Sequence, residues 1–131
     1  MGYGDFRDLD VYQVAFELSM DIFRMTKSFP KEEMYGLTSQ IRRSSRSVCS
    51  NFGEGYRKRQ YTKHFVSKVS DADMENSETQ IWWDYSLECG YISSERHSEL
   101  MKKSLEVGRR LNHVINNPEV YMTKGQKQQL S

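Results

Sequence analysis

Long apolar runs are missing from this 131-residue chain, and none approaches the roughly 18 residues that a membrane span needs. The N-terminus, MGYGDFRDLD, is acidic and lacks the apolar stretch of a secretory signal, so a cytoplasmic location is expected. Cysteine is scarce. Cys49 and Cys89 are too few for a disulfide scaffold and lack zinc-ligand spacing, which leaves two half-buried thiols as the expectation. None of His64, His97 and His113 has a glutamate three residues before it, which excludes the Glu-x-x-His motif of diiron bundles. Gly53-Glu54-Gly55 is too short for a phosphate loop and follows no strand pattern. Neither cysteine stands beside a histidine, and no cysteine or serine sits in a nucleophile elbow. The chain therefore reads as non-enzymatic, without metal or cofactor. It also lacks an internal repeat and strand-like alternation.

What is present is helical periodicity in four segments. In the first, from about Asp10 to Phe29, Val11, Ala15, Leu18, Ile22, Met25 and Phe29 form one stripe, with Asp8 or Asp10 able to cap its start. Phe16, Met20 and Phe23 lie on a second face, as on a helix wrapped by its own bundle or by another subunit. Pro30 ends this segment, and Lys31–Met34 can form a short turn. The second helix begins near Leu37 and carries Ile41, Ser44, Val48 and Phe52. It is expected to fray or bend near Gly53–Gly55, because each glycine costs up to about 1 kcal/mol in a helix interior.

The third helix runs from about Tyr61 to Glu88, with Gly90 as its stop and Phe65, Val69, Ala72, Asn76, Thr79, Trp83 and Ser86 on one seam. Asn76 and Thr79 thus face the interior, where unpaired polar groups are costly, and Ser44, Ser45 or Asn51 are the expected partners. Trp82 and Trp83 point about 100° apart, so one fills the core and the other reaches outward. Ser93 or Ser94 caps the fourth helix, whose stripe is Met101, Ser104, Gly108, Leu111 and Ile115, broadened by Leu100, Val107 and Val114. Asn116-Asn117-Pro118 ends it. Short connections imply antiparallel neighbours. The expectation is an all-α, antiparallel up-and-down four-helix bundle over residues 1–117, followed by a polar, mobile tail at 118–131.

Net charge is only +1, but the charge is segregated. Residues 40–70 carry Arg42, Arg43, Arg46, Arg57, Lys58, Arg59, Lys63 and Lys68 against Glu54 alone. Residues 71–99 carry eight carboxylates against Arg96 alone. Clustered cations neutralise phosphates and give sequence-tolerant, salt-dependent binding. Tyr56 and Tyr61 flank the cluster and are candidates to stack on unpaired bases. The alternative is a set of solvated cations paired with the acidic third helix, with Glu54 accepting from Arg42, Arg43 or Arg57.

The order of these segments resembles a known family. FRDLDVYQVAFEL at Phe6–Leu18, FPKEEMYGLTSQIRRS at Phe29–Ser44, SNFGEGYRKR at Ser50–Arg59, ETQIWWDYSLECGYIS at Glu78–Ser93 and EVGRRLNHVINNPEVY at Glu106–Tyr121 are similar to the four-helix bundle proteins encoded by intervening sequences of bacterial 23S ribosomal RNA genes, the so-called S23 ribosomal protein family. The family pattern places a proline where this chain has Cys49 and an alanine where it has Gly53. The resemblance implies an antiparallel four-helix bundle without established enzymatic activity. It also implies likeness to the accessory variability protein of diversity-generating retroelements, a pentamer that binds nucleic acid and a reverse transcriptase. The expected function is then a homo-oligomeric, pentameric accessory protein that binds RNA or DNA. Arg42, Arg43, Arg46, Arg57, Lys58, Arg59 and Lys63 would contact phosphate. The competing expectation is a scaffold that docks a protein partner such as a polymerase without touching nucleic acid.

Overall fold

The computed structural model describes residues 5–122. Four helices carry the chain: α1 (Asp10–Thr26), α2 (Leu37–Arg57), α3 (Thr62–Glu88) and α4 (Ser94–Asn116). Short 3-10 turns lie at Phe6–Asp8, Lys31–Glu33 and Pro118–Tyr121, and no strand occurs among the described residues. Each helix packs on its two chain neighbours, with α1 and α4 closing the ring. Cross-helix pairs set the directions. Arg42 meets Thr26 and Ser44 meets Thr79, whereas Gly53 meets Phe6 and Gly55 meets Phe65. Asp84 meets His97 and Asn76 meets Ser104, while Lys103 reaches Asp21 and Arg110 reaches Asp10. Every neighbouring pair is therefore antiparallel, and the molecule is an up-and-down four-helix bundle. No described helix is long and apolar enough to cross a membrane.

The α3 seam falls where its periodicity places it, with Phe65, Val69, Ala72, Asn76, Thr79, Trp83 and Ser86 all buried. Trp83 fills the core, while Trp82 is half-buried beside Tyr85 at a ring separation of 5.9 Å. Gly90 ends α3 with φ of 78°. There the Gly90 and Tyr91 N–H groups donate to Leu87 and Ser86 carbonyls at 2.9 Å each, a Schellman closure that glycine adopts without Cβ strain. Ser93 caps α4 by accepting from the Arg96 N–H at 3.1 Å. The buried stripe of α4 is Leu100, Ser104, Val107, Leu111 and Val114, so Met101, Gly108 and Ile115 sit at its margin.

Several details depart from the sequence expectation. Neither Asp8 nor Asp10 caps α1. Leu9 holds the cap position without a side-chain bond, because the Phe6–Asp8 turn, itself capped by Asp5, feeds the backbone straight into the helix. Helix α1 stops at Thr26, and the chain tightens to i,i+3 bonds that carry Phe29 into the core, 5.3 Å from the Tyr91 ring. Helix α2 does not fray at its glycines but runs through both to Arg57. Each is filled from outside, Gly53 by the Phe6 ring and Gly55 by the Phe65–Lys68 face of α3. Ser44 and Thr79 hydroxyls bond at 2.8 Å as expected, but Asn76 turns to α4. Its amide donates to the Ser104 carbonyl and its oxygen accepts from the Ser104 hydroxyl, both at 2.9 Å. Residues 118–122, assigned by sequence to the tail, begin folded. Tyr121 packs against Phe65 and Met122 is buried, because these two side chains offer the bundle end apolar cover. The remainder of that tail, 123–131, lies outside the described residues.

Candidate nucleic-acid interface

Helix α2 turns Ile41, Ser44, Ser45, Val48, Phe52 and Gly55 inward, which leaves its basic side chains on the flanks. The structure divides the seven cations into two kinds. Arg42 is half-buried between α1 and α2. Its Nε donates to Thr26 Oγ1 at 2.8 Å and a terminal nitrogen reaches the Phe23 carbonyl at 3.5 Å, with the guanidinium 4.8 Å above the Phe23 ring. Burial, and then the neighbouring Arg46, push its pKa below the usual arginine range. Arg42 is thus a clamp on the C-terminal turn of α1, where a cation is favoured by the exposed carbonyls. Arg43 leaves the other flank and pairs with Glu78 and, at 3.5 Å, with Glu75 of α3. Arg59 folds back over the Tyr56 ring at 4.0 Å and donates to the Tyr56 carbonyl at 3.0 Å.

Arg46, Arg57, Lys58 and Lys63 are exposed, and none has a carboxylate partner among the described residues. Arg46 and Arg57 are eleven residues apart, about three helical turns, and so lie on one side of α2. Lys58 and Lys63 continue the positive field around the α2–α3 turn. Glu54 does not accept from any arginine; Lys68 of α3 holds it at 3.1 Å. Tyr56 is not open for stacking, since Phe52, Phe65 and Arg59 surround it. Tyr61 is 61% exposed.

Two grooves meet at Arg46. One, of about 460 Å³, runs over the outer face of α2 past Arg43, Ser47 and Ser50. The other, of about 550 Å³, lies between the N-terminal turn, α1 and α2, and Arg46, Ser50 and Arg57 line it together with Phe6, Tyr12 and Phe16. Phe16 and Met20 were legible as a second apolar face of α1. Phe6 was not, because its place depends on the missing Cβ of Gly53. Cys49 is buried and burial pushes its thiol up to about 12, whereas Cys89 is exposed, so the two thiols are not alike. No group of three or more potential metal ligands gathers among the described residues.

The model of the family described as 23S rRNA-intervening sequence protein matches residues 7–113. A comparison with curated proteins returns no match. Among solved structures, a protein with unknown function from the S23 ribosomal protein family of Bacteroides thetaiotaomicron superposes with a TM-score of 0.72. The likeness covers 81% of this chain and 95% of that one at 24% identity, so what the two share is the fold.

Proposed function

The chain belongs to the 23S rRNA-intervening sequence protein family, and from that premise we propose that it is a non-enzymatic, homo-oligomeric nucleic-acid-binding protein of the cytoplasm. One observation carries the proposal: Arg46, Arg57, Lys58 and Lys63 form an exposed positive surface along α2 and its turn, unneutralised by described carboxylates. Arg46 also lies 5.7 Å over the Phe23 ring, which leaves its charge unneutralised, and cations gathered in this way attract the phosphate backbone and release its counterions on contact. Arg42 and Arg59 are held by contacts within the fold, and Arg43 is exposed but paired with Glu75 and Glu78, so the proposal places the phosphate contacts on the other four. Self-association is supported by α3, which shows Met74, Ile81 and Tyr85 on one side at 69%, 52% and 56% exposure. Apolar side chains of this size, repeated on one helix face, suit a subunit contact. The pentamer implied by the family resemblance is the assembly to test first.

The test is anisotropy binding of structured RNA and single-stranded DNA across a salt series. If all four cations meet phosphate, the log–log slope on a single strand is about −3, from roughly 0.7 per contact. Lys58→Gln with Lys63→Gln lowers the slope by about 1.4. Absence of binding at about 50 mM salt, or a flat slope, refutes the proposal. Light-scattering mass tests self-association, and a monomer at micromolar concentration refutes that part.

A further inference from the structure

We propose that the groove between the N-terminal turn, α1 and α2 is a seat for one unpaired base of a single strand, with Arg46 and Arg57 holding the phosphates on either side of it. The inference rests on the nucleic-acid reading above and extends it from a charged surface to a built site. At about 550 Å³ the groove is in the size range of small-molecule sites. Its wall is aromatic. Tyr12 and Phe16 stack with ring centroids 6.0 Å apart and planes 22° from parallel, and Phe6 meets Tyr12 edge-on at 5.1 Å. The pair is fixed on a single helix by its i,i+4 spacing, and Phe16 stays 49% exposed, which leaves a ring face for a further planar group. Gly53 permits this shape: a Cβ there would stand 3.2 Å from the Phe6 ring.

The rim selects the occupant. An apolar peptide or a second copy of an uncharged face would leave two guanidinium groups opposite nothing. Arg46 and Arg57 both line the groove without a carboxylate, and the one acid at its edge, Glu54, is already held by Lys68. A ligand that is planar and aromatic at its centre and anionic on both sides satisfies wall and rim together. A nucleotide within a single strand has that chemistry, whereas a duplex keeps its bases stacked inside. Past Arg46, the Ser47 and Ser50 hydroxyls border the outer groove of α2, so the next phosphate meets polar groups rather than a wall.

The experiment uses the full chain and its Phe16→Ala variant. An eight-nucleotide single strand carries 2-aminopurine, and a stably paired RNA duplex of about twelve base pairs serves as the comparison. Phe16 is half-exposed on a helix and alanine is a strong helix former, so the variant keeps its fold; circular dichroism and native mass verify this. The expected result is quenched 2-aminopurine emission with the wild-type chain. The variant loses that quenching and binds the single strand roughly tenfold or more weakly, with duplex affinity unchanged. Equal losses on both probes, or no loss on either, overturn the base seat and leave the phosphate surface standing. A variant that loses native mass overturns it too, because the groove is then a contact between copies. A wild-type chain that binds neither probe overturns both readings.

Discussion

Replacing Asn76 with alanine removes two hydrogen bonds from the α3–α4 interface in a site only 2% exposed. Each such bond contributes about 0.5–1.5 kcal/mol net. The loss also strands the Ser104 hydroxyl proton, whose acceptor is the Asn76 oxygen, although the Gln80 amide still donates to that hydroxyl at 2.9 Å. A buried group without its partner costs about 1–3 kcal/mol. The Ser104 carbonyl retains its place in the α4 ladder, so the sum is about 2–4 kcal/mol. That is a large share of the roughly 5–15 kcal/mol that holds a domain folded. Urea unfolding followed by circular dichroism measures it. Ser104→Ala and the double variant complete a cycle in which the coupling is expected near 1–2 kcal/mol, within the range for residues in direct contact. A coupling below about 0.3 kcal/mol, the scatter of independent sites, refutes a stabilising interaction between these two side chains across the α3–α4 interface.

The two α2 glycines are expected to respond in opposite ways. At Gly55 a new Cβ stands 2.8 Å from Lys68 Cβ and 3.4 Å from the Phe65 carbonyl, both set by the α3 backbone, so Gly55→Ala destabilises by about 1–2 kcal/mol despite better helix propensity. At Gly53 the obstacle is the Phe6 ring on a three-residue turn, which can slide, so Gly53→Ala changes stability by less than about 0.5 kcal/mol; chemical melts compare the two. Arg42→Ala is expected to lower stability by about 1–2 kcal/mol, since it removes a charged hydrogen bond to Thr26, while leaving the salt slope of binding unchanged; a reduced slope contradicts its role as a clamp. Tyr91 donates to Glu33 at 2.8 Å, and that bond, with burial second, pushes its phenol up to about 12. Its folded pKa exceeds the unfolded value near 10, so its contribution is complete below pH 10 and is lost as pH rises from there through 12. Burial also raises Tyr12 and Tyr121, so spectroscopic titration should show more than one late tyrosine, and Glu33→Gln should return only the Tyr91 phenol toward the ordinary value.

Period and punctuation made the bundle legible. The α3 seam needed no knowledge of its neighbours, because a 3.6-residue repeat alone decides which side of a helix is buried. Gly90, Ser93 and Pro118 marked boundaries through backbone chemistry that is local to those residues. What stayed hidden depended on which residue stands opposite. Asn76 was plainly interior, yet choosing Ser104 over Ser45 requires knowing that the inward face of α3 is shared between α2 and α4. Arg42 and Arg46 share a flank and a residue type, but only Arg42 lies level with the open carbonyls at the end of α1. The groove was hidden for the same reason. Its aromatic wall comes from the N-terminal turn and α1, its rim from α2, and Gly53 joins them by what it lacks.

The charge segregation along the chain acquires its meaning from the hairpin of α2 and α3. If opposite charges simply neutralised one another across this pair, the basic surface would vanish on folding. Antiparallel packing prevents that. Pairing Ser44 with Thr79 sets the middle of α2 against the acidic stretch of α3, and there Arg43 does meet Glu75 and Glu78. The same register puts Arg57, Lys58 and Lys63 at the hairpin's closed end, where Glu54, the one acid of α2, is paired with Lys68. From Lys63 to Asp71, the first acid of α3, is about 12 Å, at 1.5 Å per residue. That is roughly one and a half times the screening length at physiological salt, so the acidic stretch weakens the field at the turn only in part. A chain with a net charge of only +1 can therefore present a strong positive surface, because its fold separates charges that the sequence places side by side.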